Sequence, residues 1–169
     1  MWWIVMGIGM LFLLSFAYAA VSGAPWVPTW KRDIDRLERV LALHSGEHFV
    51  ELGCGDGRVV LELTKRSGAL GIGVELSLMQ FIAAQVRRMW QRTPNAYILL
   101  QNIFSHDLSN ANAVYLFLMP ETYEKLRPKF EKELRPGTRV VSYVWPIPGW
   151  EPAYVDKLEG APNLYLYNR

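Results

Sequence analysis

The sequence predicts an α/β fold: a mostly parallel, seven-stranded sheet with helices on both faces, preceded by one apolar amino-terminal helix. Three observations carry this. Short apolar runs alternate with longer segments at helical spacing, the pattern of a parallel sheet wound with crossover helices. A glycine-rich turn, ELGCGDGR at residues 51–58, joins the first such run to the next helix. And no side chain from Met1 to Trp30 is charged.

That uncharged stretch contains WWIVMGIGMLFLLSFAYAAV, Trp2 to Val21. As a helix it spans roughly 30 Å, the thickness of a bilayer's hydrocarbon core. Trp2, Trp3, Tyr18 and Trp26 fall near its ends, where aromatic belts lie. Ala17-Tyr18-Ala19 resembles a signal-peptidase site, but the segment lacks a basic leader and its apolar run is too long for one. An uncleaved single-pass anchor over 1–22 is expected, with membrane contact through residues 2–21. Lys31, Arg32, Arg36 and Arg39 follow it, so the positive-inside rule puts the folded domain on the cytoplasmic side. Arg36 and Arg39 also read as the solvated face of a helix.

Residues 23–45 form a linker and first helix. GAPWVPTW carries two prolines, and Asp33 to Leu43 places Ile34, Leu37, Val40 and Leu41 on one helical stripe. The domain proper occupies 46–169. Its strands are expected at His48–Leu52, Gly71–Leu76, Ala96–Gln101, Ala113–Leu118 and Thr138–Val144. Ala153–Lys157 and Asn163–Tyr167 close it as an antiparallel pair around Gly160-Ala161-Pro162. Helices are expected over Val59–Ser67, over Ser77–Arg92 with Phe81, Ile82, Val86 and Met89 on its apolar side, and over Pro120–Leu134. Ligands of such sheets bind at the carboxyl ends of the strands, here loops 53–57, 75–79, 102–106 and 119–121.

A chain of 169 residues supports one compact core. Lysine plus arginine number 18 against 16 acids, a balance too even to point to nucleic acid as a partner. A single cysteine, Cys54, excludes an internal disulfide and has no adjacent base to make it a nucleophile. His44, His48 and His106 have no metal-ligand spacing, so no metal is expected.

The glycine turn decides the cofactor. The dinucleotide fingerprint needs a third glycine where Arg58 stands, and no Gly-Lys-Ser/Thr follows as a P-loop requires. Glu51 and Asp56 also work against phosphate: like charges at ~4 Å cost about 4 kcal/mol at an effective dielectric of 20. A sulfonium and an ammonium reverse that sign, and S-adenosylmethionine offers both. Glu75, ending the second strand, is placed to accept hydrogen bonds from both ribose hydroxyls. Removing the Glu51 carboxylate is expected to abolish cofactor binding and leave the fold intact.

VELGCGDGRVVLEL followed by GIGVELS resembles the class I, Rossmann-like, seven-β-strand S-adenosylmethionine-dependent methyltransferases. The resemblance implies Gly53, Gly55 and Gly57 against the methionine part and Glu75 on the ribose. It also implies that the loop after the third strand meets adenine, here through Asn102 and through Ile103 or Phe104. That loop departs from the family in lacking an acid, and Asn102 also reads as a plain loop residue.

A narrower resemblance rests on the apolar anchor, GAPWVPT, GDGRVV and VWPIPGW. Together they are similar to the membrane-anchored protein-lysine methyltransferases of the ATP synthase c-ring protein and the adenine nucleotide carrier, with their prokaryotic relatives. That implies a lysine-bearing, membrane-associated protein substrate, S-adenosylhomocysteine as product, and Pro28 and Thr29 folded over the cofactor. Leu118-Met119-Pro120-Glu121 stands where amide N-methylating relatives carry Asp/Asn-Pro-Pro-Tyr/Phe. Pro120, Trp145 and Trp150 are candidates for the substrate channel. Glu121 is a candidate to steer the ammonium or accept its proton, and equally an acid stabilising a helix's first turn. Two alternatives stand beside the lysine reading: a lipid or hydrophobic small-molecule acceptor, and a non-catalytic S-adenosylmethionine-binding membrane protein.

Overall fold

A computed structural model describes residues 2–7, 9–10, 13–14 and 27–169. The expected membrane-spanning helix therefore lies largely outside the described residues. Those described within it are helical and exposed. Among the described residues no helix is long and apolar enough to cross a membrane.

Eleven elements follow residue 30. They are α1 (Lys31–Leu41), β1 (His48–Leu52), α2 (Arg58–Ser67), β2 (Leu70–Glu75), α3 (Leu78–Gln91), β3 (Ala96–Leu100), β4 (Ala113–Leu116), α4 (Pro120–Glu133), β5 (Arg139–Tyr143), β6 (Tyr154–Asp156) and β7 (Leu164–Asn168). Among the described residues the strands form one sheet of seven in the order β3-β2-β1-β4-β5-β7-β6. β7 runs antiparallel to β5 and β6, while β1 to β5 pair in parallel. Every strand expected from the sequence is present, with ends shifted by a residue or two.

The central strands are apolar on both faces because both faces are covered. Phe49, Tyr115 and Tyr143 join a core with Ile34, Leu37 and Leu41 of α1 and Val59, Val60 and Leu63 of α2. On the other face, Val50, Leu52, Val114 and Leu116 pack with Leu126 and Phe130 of α4. Among the described residues that second face carries one helix, and loops 101–112 and 144–153 complete its cover.

α1 buries the stripe its spacing predicts and ends at Ala42 in the left-handed region (φ 43°). Arg36, however, is not solvated. It is 2 % exposed, donating from Nη1 to Asp33 Oδ1 (2.9 Å) and Pro162 O (2.8 Å) and from Nε to Asp156 Oδ2 (2.6 Å). Tyr143 completes the cluster by donating to Asp33 Oδ2 at 2.7 Å. The expectation of a surface arginine fails because the β6–β7 hairpin, remote in sequence, folds acceptors over this helix. Arg39 is exposed as expected.

α3 departs further. Ala84 is its one fully buried residue, Phe81 is half-buried, and Ile82, Val86 and Met89 lie outward instead of packing on the sheet. The inward side is polar or small. Gln85 donates to Ile98 O (3.4 Å), Arg88 to Ala96 O and Arg87 to Asp56. Ala84 is small because it sits against Gly57, where an added Cβ would lie 3.1 Å from the alanine methyl.

Candidate functional site

Strand order reverses between β1 and β4, the switch point at whose carboxyl ends sheets of this kind bind ligands. The glycine turn lines one side. Gly53 and Cys54 donate backbone N–H groups to Val74 O of β2 at 2.9 and 3.0 Å, hooking the turn across the sheet. Gly53 has φ +78°, and a Cβ there would come 2.8 Å from Leu118 Cδ2 in the turn after β4. Glycine is thus required twice over: by a left-handed backbone and by the close approach of the two turns. Gly57, at φ +74°, caps α2, and Gly55 also has positive φ.

Three carboxylates converge on this turn, and each is held differently. Glu51 is buried on the α2 side of β1 and accepts the Val60 N–H at 2.7 Å, filling one of the donor vacancies of the helix amino terminus. Burial pushes its carboxyl well above the usual range, and nearby Asp56 and Glu75 add to the shift against the Val60 hydrogen bond and Arg58. Glu51 also supports α2, so its removal would leave the Val60 donor without this acceptor. Glu75 Oε2 accepts from Gly55 N (2.8 Å), and its Oε1 accepts from Leu76 N and Ser77 N (2.9 and 2.7 Å). It therefore ties the end of β2 to the middle of the glycine turn.

Asp56 is committed elsewhere. Its Oδ2 accepts from Arg58 Nη2 (2.8 Å) and Arg87 Nη2 (2.7 Å), and its Oδ1 from Arg58 Nε (3.0 Å). Its carboxyl is held below the ordinary aspartate range: the guanidinium contacts together outweigh burial, the largest single influence, which raises it. The reading of Asp56 as a free anion facing a cationic ligand is thus corrected by its two arginine partners. Arg58 Nη1 reaches on to Thr29 O at 3.4 Å, and the Thr29 and Tyr115 hydroxyls lie 3.3 Å apart. Thr29 is buried and Pro28 half-buried, so this segment is packed against the turn through Arg58.

After β3, Asn102 Oδ1 accepts the Phe104 N–H at 2.9 Å, Ile103 is buried in the second core, and Phe104 is 36 % exposed. Asn102 thus shapes its own loop. After β4, Pro120 opens α4 and Glu121 is exposed in its first turn. After β5, Val144 adopts φ +72°, rare for a β-branched residue, and Trp145 follows, 44 % exposed with its carbonyl accepting from Ser142 Oγ (2.7 Å). Trp150 is not its counterpart across a channel. Its ring packs 5.9 Å from Phe130 and 5.8 Å from Tyr167 (centroid distances), on the α4 face of the sheet. Of these two channel candidates Trp145 is exposed, while Trp150 packs against the second core.

Arg58, Arg87, Tyr115 and Tyr123 are functional neighbours that the sequence pattern does not single out. The Tyr123 hydroxyl accepts from Leu118 N (3.3 Å) and lies 3.2 Å from Tyr143 O, joining the ends of β4 and β5. A buried tyrosine one turn into a helix has no local signature. Arg58 does have one, since it stands where a dinucleotide site needs glycine.

The donor set fits a cationic ligand better than a polyphosphate. Glu51 and Glu75 are buried carboxylates, Asp56 already offsets Arg58 and Arg87, and burial has left Glu51 short of a positive partner. A ligand bringing positive charge would favour the ionised forms of these carboxyls, whereas a phosphate would disfavour them.

A family profile described as the ANTKMT methyltransferase domain matches residues 51–154. A protein-lysine N-methyltransferase of Saccharolobus islandicus (strain REY15A) is 36% identical over 87% of this chain and 94% of that protein. The adenine nucleotide translocase lysine N-methyltransferase of Mus musculus is 29% identical over 85% of this chain, which spans 62% of that protein's length. Among solved structures, an RNA methyltransferase from Salinibacter ruber in complex with S-adenosyl-L-homocysteine superposes with a TM-score of 0.81. It is 31% identical, over 84% of this chain and 93% of that one.

Proposed function

The chain belongs to the ANTKMT methyltransferase domain family, and on that basis we infer that it is a protein-lysine N-methyltransferase working at a membrane. Its cofactor is S-adenosylmethionine, which supplies a methyl group on a sulfonium leaving group. The observation that carries the reading is the glycine turn held between Glu51 and Glu75, two buried carboxylates suited to a cation.

This chain's residues would hold the donor as follows. Gly53, Gly55 and Gly57 admit it close to the backbone, and Glu75 takes the ribose hydroxyls in exchange for its present backbone donors. Thr29, with Pro28, closes over the glycine turn through Arg58. Ile103 and Phe104 offer apolar surface for the adenine, with Asn102 shaping that loop. Holding amine and donor in line is the main catalytic task, worth ~7–11 kcal/mol in well-oriented cases. The incoming lysine must be neutral, and desolvation beside a cation lowers its pKa. Leu118, Pro120 and exposed Trp145 frame the side from which it would enter. Exposed Glu121 is positioned to attract the ammonium from solvent.

The uncharged segment over residues 2–21 supports a single-pass anchor with the enzyme domain on the cytoplasmic side. With Arg36 taken into the fold, Lys31, Arg32 and Arg39 are the exposed cations flanking it. A tethered domain suits lysines close to the bilayer. Incubating the full chain with native membranes and methyl-labelled S-adenosylmethionine tests the acceptor. Label in the protein fraction, mapped to methyl-lysine by mass spectrometry and lost with Glu75→Ala, is the expected result. Label confined to lipid or RNA overturns the lysine reading, and cofactor binding without transfer overturns enzymatic function.

A further inference from the structure

Every exposed residue of α3 is apolar: the surface is built from Met79, Ile82, Val86, Met89 and Trp90, with Leu78 and Ala83 filling in. Trp90 is 87 % exposed and Met89 74 %. The helix cannot turn this face inward, because its other side is held by Arg87 on Asp56, Arg88 on Ala96 O and Ala84 under Gly57. Tyr97 of edge strand β3 extends the patch, with the Arg88 guanidinium 5.6 Å from its ring centroid. From Leu76 to His106 the chain has three arginines, Arg87, Arg88 and Arg92, and no carboxylate.

We propose that the outward face of α3, continued by Tyr97, docks on an anionic lipid bilayer and fixes the catalytic edge of the sheet against it. Apolar residues with tryptophan on one face and a basic flank are what an interfacial helix needs. Exposed Arg92, with Arg88 near it, supplies the positive charge that complements anionic headgroups, Arg87 being paired with Asp56. The chain's own amino-terminal segment is a poorer occupant. It is uncharged over residues 1–30, and its described helical residues are themselves more than half exposed. A helix apolar on every side that covered α3 would still leave apolar surface in water, whereas a bilayer accepts both. The two also meet the fold at one place. Thr29, where the chain enters, reaches α3 through Arg58, Asp56 and Arg87, and α3 begins at the strand ends that form the site.

This inference rests on the anchoring reading, and its test separates the two. Full-length chain with a nitroxide on Val86→Cys, or on Lys125→Cys of α4 as control, is floated with phosphatidylcholine vesicles with or without phosphatidylglycerol. Accessibility to dissolved oxygen and to a water-soluble nickel chelate is then measured. The docked face gains oxygen and loses nickel contact at Val86 but not at Lys125, more strongly with phosphatidylglycerol. Arg92→Gln weakens that docking about fivefold, the worth of one arginine near an anionic surface. A chain that floats with the Val86 label still in water overturns the docking alone. Loss of both reagents at Val86 means a protein has covered the face, and also overturns it. Failure to float overturns anchoring and docking together.

Discussion

α1 and α3 lie on the same face of the sheet and present similar apolar spacing, yet they are attached in opposite ways. α1 buries its stripe of Ile34, Leu37 and Leu41 and draws Asp33 and Arg36 in with it. α3 turns its apolar stripe to the outside and uses arginine and glutamine toward the protein. Periodicity shows that a helix has two unlike faces. Which one meets the protein depends on what the neighbouring elements offer. Beside α1 these are apolar strands and, from the β6–β7 hairpin, Asp156 and Pro162 O. Beside α3 they are Asp56 and the open carbonyls of Ala96 and Ile98.

The comparison is broken most directly at the α1 latch. Asp33→Ala leaves the Arg36 charge buried short of one partner, and loss of about 3–5 kcal/mol is expected. Urea unfolding measures it, and a loss below about 1 kcal/mol would mean that Asp156 alone suffices. Next in size is Gly53→Ala. A left-handed φ costs an L-residue about 1–2 kcal/mol, and the Leu118 contact adds to it. Leu118→Ala in the same chain should recover only the steric part. Calorimetric titration should show S-adenosylmethionine binding lost in the single variant.

A smaller effect sharpens the contrast within the glycine turn, whose two acids respond to pH with opposite sign. Glu51 has a raised folded pKa, so in the free protein its favourable contribution is complete below the ordinary glutamate range. That contribution is lost as pH rises through the raised value. Asp56 has a lowered one, so its contribution is complete above the ordinary aspartate range and lost as pH falls through the lowered value. Glu51→Gln should flatten the fall in stability from mildly acid to neutral pH, followed by thermal unfolding. Asp56→Asn should flatten the acid limb instead. Smallest of all, Met89→Glu on the outer face of α3 should change stability by about 0.5 kcal/mol or less. A cost above about 2 kcal/mol would show that the face is packed in the free chain.

Much of the fold is legible along the chain. The central strands β1, β4 and β5 are largely apolar because both faces are covered, and a run bounded by turn residues is visible locally. The glycine turn and Glu75 are legible for a similar reason, since their backbone and spacing requirements are local to one strand–turn–helix unit. Pro28 and Thr29 are reached by resemblance, not by pattern. What stays hidden are pairings across long sequence distances: Arg36 with Asp156, Arg87 with Asp56, Trp150 with Tyr167, and Tyr123 with the ends of two strands.

The order of elements and the place and backbone of the glycine turn can thus be read directly along the chain. Each of these depends on backbone conformation and near neighbours along the chain. Long-range packing sets which charges are spent on holding the protein together and which helix face remains outside. Those outcomes depend on which partners folding brings within hydrogen-bonding distance, and no local period of apolar residues records that.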